Sequence, residues 1–168
     1  MANENTKIAN ISVENARILF RNFAGKPSKF NAEGKRNFCL LLDNDSAADL
    51  KDIGWNVKYL NPRDPDDEPQ PYIQVSVAFD NFPPNIWLIT GKKKTRLNED
   101  TVSVLDYAEI ENIDIIVRPY HWTLQTGASG IKAYVKNMYV TIVENEFEKK
   151  YQNFEDDEGN DEEELPFN

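Results

Sequence analysis

The sequence predicts a mainly β domain, a small antiparallel barrel of five or more strands with one or two short helices and an acidic C-terminal tail. Three observations carry this. The chain has 168 residues, 40% of them apolar and 11% aromatic, enough for one real core and too few for two ordinary domains. Its apolar residues fall in short period-2 or continuous runs rather than in alternating strand and long-helix patterns. The last 18 residues hold eight acids and neither Lys nor Arg.

Taken in order, residues 1–10 are polar and read as a flexible N-terminus. Strand patterns follow at Ile11 to Phe23 and Lys35 to Asp43, joined by a long basic loop with Gly25, Pro27 and Gly34. Asp45 to Ile53 groups Ala47, Ala48, Leu50 and Ile53 on one side of a short helix that stops at Gly54. Trp55 to Leu60 alternates as a strand. Asn61 to Pro71 carries four prolines and five charges and is a loop. Tyr72 to Phe79 and Ile86 to Thr90 are strands separated by Pro83-Pro84, which cannot donate to a ladder. A basic turn spans Gly91 to Arg96, and Asp100 or Thr101 caps a short helix with Val102, Val104, Leu105 and Ala108. Ile113 to Leu124 and Ile131 to Val143 form the last hairpin around Gly127 and Gly130. About seven strands with little helix fit a modified OB-type barrel over residues 11–150, followed by the tail 151–168.

The formal charge of -10 is unevenly placed. The tail carries -8, which leaves 19 bases against 21 acids, or -2, for residues 1–150. The body is therefore nearly neutral and has room for basic patches. Cys39, the single cysteine, lies in an apolar run, so no intramolecular disulfide is expected and a cytoplasmic compartment suits the chain. No apolar run approaches the roughly 18 residues of a membrane span, and no signal-peptide pattern follows Met1.

Catalytic chemistry has little support. One Cys and one His, distant in sequence, do not make a zinc site. His121 reads as a hydrogen-bonded or exposed strand residue. Gly91-Lys92-Lys93-Lys94-Thr95 lacks the upstream glycine of a phosphate loop. Asp43, Asp45, Asp64, Asp66 and Asp67 could gather around Mg²⁺ as in a nuclease, although acids in Pro-rich loops are ordinarily just solvated. No catalytic residue, metal or cofactor is assigned.

Binding chemistry is better supported. Arg17, Arg21, Lys26, Lys29, Lys35 and Arg36 face a single acid, Glu33, and are interleaved with Phe20, Phe23 and Phe30. Cations that follow phosphates, and rings that stack on unpaired bases, are what single-stranded DNA requires. Period 2 puts Phe23 on the same face as Arg17 and Arg21, so Phe23 and Phe30 are favoured over Phe20 for stacking, against the alternative that these rings are core. Lys92, Lys93, Lys94 and Arg96 offer a second wall for a groove. The last strand pair adds Arg118, Tyr120, Trp122, Lys132, Tyr134, Lys136 and Tyr139, with Lys132, Tyr134 and Lys136 on one face. The opposite phase, Ile131, Ala133 and Val135, and then Val140 and Ile142 after a bulge near Asn137, supplies the core. Tyr134 is equally open to a core role.

The tail ends on Leu165-Pro166-Phe167. Solubility alone needs no apolar tip, whereas a docking peptide uses such residues as anchors. In this combination the chain resembles prokaryotic and bacteriophage single-stranded DNA-binding proteins, with an OB-fold core and an acidic tail tipped by Pro-Phe. Arg21-Asn22-Phe23-Ala24-Gly25-Lys26 and Lys132-Ala133-Tyr134-Val135-Lys136 are closer to phage members. The resemblance implies sequence-independent single-stranded DNA binding in replication, recombination and repair, in the host cytoplasm if phage-encoded. It also implies that Leu165, Pro166 and Phe167 dock replication or recombination proteins. Asn168 follows Phe167, which departs from tails whose terminal Phe carboxylate is recognised and makes a phage-encoded partner the better fit. A homo-oligomer is compatible with this reading. An acidic DNA mimic and a metal-dependent nuclease are the alternatives.

Overall fold

A computed structural model describes residues 8–80 and 82–143, and its framework is a hairpin of two 14-residue strands, β8 (Ile110–Thr123) and β9 (Ser129–Ile142). Alternation buries Ile113, Ile115 and Val117 from β8 and Ile131, Ala133 and Val135 from β9. Val117 pairs with Val135 and Ile116 with Asn137, so Lys136 is the extra residue of a bulge. The inward phase of β9 therefore moves to Met138 and Val140, the shift expected near Asn137.

The other strands arrange themselves around β9. They are β1 (Ile11–Val13), β2 (Ile18–Asn22), β3 (Arg36–Leu41), β4 (Lys58–Leu60), β5 (Gln70–Val77), β6 (Asn85–Thr90) and β7 (Lys93–Leu97). β5 and β6 lie along the same edge of β9, both parallel to it, through Val75 and Ser76 opposite Ala133 and Tyr134 and through Asn85–Ile89 opposite Asn137–Thr141. The sheet is thus mixed, whereas the sequence suggested antiparallel pairing throughout. β7 is a hairpin strand on β6, so Lys93, Lys94 and Arg96 occupy a strand rather than the expected turn.

The ladder runs β1-β8-β9-β5-β3-β2. Its two ends are successive stretches of one segment. Between them Asn15 takes a left-handed φ of 53°, its N–H donates to Asp114 Oδ1 (3.1 Å), and the Ala16 N–H donates to Ile113 O (2.7 Å). Next, Arg17 O accepts the Leu41 N–H (2.9 Å). The chain itself joins the two sheet edges, giving the partly open OB-type barrel the sequence predicts.

The core is contiguous, with Phe23 stacked on Phe38 at 5.3 Å between ring centroids and with Leu40, Ile73, Val75, Ile86, Leu105 and Met138 fully buried. Each such side chain contributes about 1.5–3 kcal/mol of apolar burial. Helix α1 (Asn44–Ile53) is capped by Asp43, whose carboxylate accepts from the Ser46 N–H (2.7 Å) and hydroxyl (3.1 Å). These bonds hold the Asp43 carboxyl below its ordinary pKa. The helix buries Ala47 but leaves Ile53 56% exposed, so its apolar side is narrower than the spacing suggested. A 3₁₀ helix (Val102–Asp106) buries Val102 and Leu105. Among the described residues no helix is long and apolar enough to cross a membrane.

Candidate nucleic-acid interface

The outer face of the sheet carries a polar row that crosses four strands. Asn37 of β3 stands opposite Ser76 of β5, Ser76 opposite Tyr134 of β9, and Tyr134 opposite Arg118 of β8. Their chain neighbours Phe38, Val75, Val77, Ala133, Val135 and Val117 point into the core, so alternation fixes the outward direction of the row. Over it lies a groove of about 950 Å³, walled by Phe30 to Lys35 on one side and by Phe79, Asp80 and Phe82 near the end of β5.

The wall contributed by the β2–β3 loop is built by hydrogen bonds. The Asn31 side-chain amide donates to the carbonyls of Lys26 (2.9 Å) and Lys35 (3.0 Å), while its oxygen accepts from Asn37 Nδ2 (3.0 Å). The loop's two arms meet at Gly25 and Gly34, where Gly34 N–H donates to Gly25 O (2.8 Å). Gly25 has a φ of 71°, and a Cβ there would come within 3.0 Å of the Gly34 carbonyl carbon, so both conformation and proximity require glycine. Phe30, at the tip, is 92% exposed.

Cations and rings are paired within the groove. The Arg118 guanidinium lies 5.1 Å from the Tyr134 ring and 5.3 Å from Phe82, Lys132 lies 5.3 Å from Tyr134, and Tyr120 meets Tyr134 edge-on at 6.3 Å. Arg36 lies 5.6 Å from the Phe79 ring, and its guanidinium reaches Glu99 Oε2 and Glu99 O, each at 3.5 Å. Its Nε is buried without a hydrogen-bond partner. Of the residues singled out from sequence, Phe30, Lys35, Arg36, Arg118, Tyr120, Trp122, Lys132 and Tyr134 line this one groove. Tyr134 is half-buried on the outer face, which separates it from the core.

Others fall elsewhere. Phe23 is completely buried, while Phe20 is 67% exposed, the reverse of the expectation for these two rings. The physical reason is a register shift between Leu19 and Asn22, with Phe20 at a φ of 54°, which breaks the period-2 count. The Arg21 guanidinium donates to Leu105 O (2.8 Å) and Ala108 O (2.9 Å), tying β2 to the 3₁₀ helix. Arg17 and Lys29 are exposed outside the groove, as is Lys26, whose Nζ hydrogen-bonds Tyr107 Oη (2.6 Å) and is held above its ordinary pKa by that contact.

Lys92, Lys93, Lys94 and Arg96 do not line the groove and so do not form its second wall. They belong to the β6–β7 hairpin beside the far half of β9. Lys94 lies 4.5 Å from the Trp87 ring and 5.7 Å from Tyr139, and Arg96 lies 5.7 Å from Trp87. Lys136 is exposed at the bulge between the two regions. Leu165, Pro166 and Phe167 lie outside the described residues, as does the whole predicted tail. Asp43, one of the nuclease candidates, caps α1, and among the described residues no three metal-ligand side chains gather.

Sequence reasoning missed Phe79, Phe82 and Glu99 as groove residues. Phe82, directly before Pro83-Pro84, is 71% exposed, a position where the proline pair was a usable signal, whereas Phe79 is partly buried against the core. Glu99 comes to Arg36 from 63 residues away, and no local pattern marks it.

A family model described as "Putative phage ssDNA-binding domain" matches residues 1–164. No curated protein sequence matches the chain. Among solved structures, the chain is similar to the single-stranded DNA-binding protein from bacteriophage Enc34 in complex with ssDNA. The two are 14% identical with a TM-score of 0.51, covering 81% of this chain and 88% of that one. A C-terminal truncation of the Enc34 protein gives 14% identity and a TM-score of 0.50, covering 81% and 87%. At this identity the likeness is one of fold.

Proposed function

The chain belongs to the phage single-stranded DNA-binding domain family, and from that premise we propose that single-stranded DNA lies in the groove across β3, β5, β9 and β8, bound without base preference and without catalysis. The observation that carries this is the outward row ending in Tyr134 and Arg118, beside the built loop that holds Phe30. OB-type barrels take oligonucleotides on this face, between the loop after the first strand and the last hairpin. Bases stack on Phe30 and Tyr134, while Lys35, Arg118 and Lys132 follow the phosphates. Duplex DNA buries its ring faces in its own stack and cannot use these platforms. Lys94, Arg96 and Lys136 extend the cationic path along β9.

We assign the acidic tail, through Leu165, Pro166 and Phe167, to recruitment of replication, recombination or repair proteins. An apolar tip behind eight acids is suited to a partner with a basic rim and an apolar pocket.

The groove is tested by fluorescence anisotropy with a labelled oligothymidine and with a hairpin duplex. The wild-type chain should prefer the single strand. The R118A/K132A variant should bind it about tenfold less tightly, with a salt slope reduced by about 1.4, since each phosphate neutralised contributes about 0.7. Equal affinity for duplex, or an unchanged slope in the variant, would overturn the proposal.

A further inference from the structure

The β8–β9 hairpin places three rungs one after another, Arg118 opposite Tyr134, Tyr120 opposite Lys132 and Trp122 opposite Gly130, and all of these but Gly130 line the groove. The first two each pair a cation with an aromatic ring. The third pairs the largest ring with the smallest residue. A Cβ at Gly130 would stand 2.7 Å from Trp122 Cζ2, 3.0 Å from Cε2 and 3.2 Å from Nε1, so the indole lies across the bare backbone of β9.

Gly130 sits inside a regular strand without a left-handed φ. Its backbone therefore accepts a side chain, and only the ring stands in the way. A glycine inside a strand costs order and packing, and here the one thing it permits is the placement of Trp122.

We infer that Trp122 is a base-stacking platform at the hairpin end of the groove and that Gly130 is the positioning residue that lays it flat. This rests on the reading of the groove as a single-stranded DNA site. Rungs two residues apart are about 7 Å from one another along the strand, so the three present stepped stacking surfaces to consecutive unpaired bases. An indole carries no charge, so its contribution is separable from that of the cations: it changes affinity at every salt concentration by the same factor.

The test compares W122A, W122F and G130A with wild type in titrations of oligothymidine from 50 to about 500 mM salt. W122A should weaken binding by about tenfold with an unchanged salt slope, W122F should recover most of the loss, and G130A should fall between. G130A should keep the wild-type melting temperature and lose part of the tryptophan quenching that DNA produces. If wild type binds and W122A or G130A matches it, or if W122A flattens the salt slope, the inference fails while the groove stands. If wild type does not bind single strands at all, the underlying reading fails first.

Discussion

Among the described residues, Arg36 is the charged groove residue with a buried side-chain nitrogen that has no hydrogen-bond partner. A guanidinium has five N–H donors in a rigid fork, yet among the described residues its oxygen partners are both on Glu99, each at 3.5 Å, and its Nε is buried without a partner. Such a group gains more from a phosphate, which accepts along the fork, than from a single long carboxylate contact. With DNA in the groove as proposed, the Glu99 carboxylate would compete with phosphate for the same donors. The expected outcome is that E99Q binds oligothymidine about two- to fivefold more tightly than wild type, the range of a partly exposed ion pair. An anisotropy titration at low salt measures it, and weaker binding by E99Q would show that the pair instead holds Arg36 in place. Where alternation was unbroken, period 2 predicted the right face, placing Lys132 and Tyr134 together on the side of β9 opposite buried Ile131, Ala133 and Val135. It failed at Phe23, because a left-handed residue at position 20 resets the phase and nothing in Ile18-Leu19-Phe20-Arg21-Asn22 announces one.

At the scale of elements, β9 is the strand on which the rest depends, since it pairs with β8, β5 and β6. Its bulge at Lys136 lets Ile131, Ala133 and Val135 share a core with Met138 and Val140, although the two sets have opposite parity. The change of phase was legible because apolar residues switch from odd to even positions. The parallel pairing was not, since the residues of β5 and β6 that pair with β9 are 58 and 52 positions from their partners and no local signal fixes such contacts. Deleting Lys136 should therefore turn one half of the strand inside out, because a one-residue slip moves every side chain to the other face. Thermal denaturation followed by circular dichroism should show no cooperative transition for the deletion. K136A, which keeps the residue count, should stay within about 0.5 kcal/mol of wild type. A deletion that melts normally would mean the register of β9 is set elsewhere.

For the whole molecule, the governing fact is that charge is segregated along the chain, with -8 in residues 151–168 and -2 in the remainder. That division was readable directly, as was the mainly β barrel. The groove was readable only in pieces, because its walls come from four strands and four connecting segments that meet through long-range pairing. Segregation has a consequence for binding. On the proposed reading, acids tethered to the barrel compete with DNA for its cations at high effective concentration, so DNA binding releases fewer net counterions than it would on the barrel alone. Removing residues 153–168 should therefore tighten oligothymidine binding at 50 mM salt and steepen the slope of log affinity against log salt. The two proteins should converge toward about 500 mM, where the screening length falls to a few ångströms. The acidic-mimic alternative makes the opposite forecast, since a chain whose activity resides in its acids loses function with them. Weaker DNA binding after the truncation would thus reject competition by the tail and turn attention to the acids as the working surface.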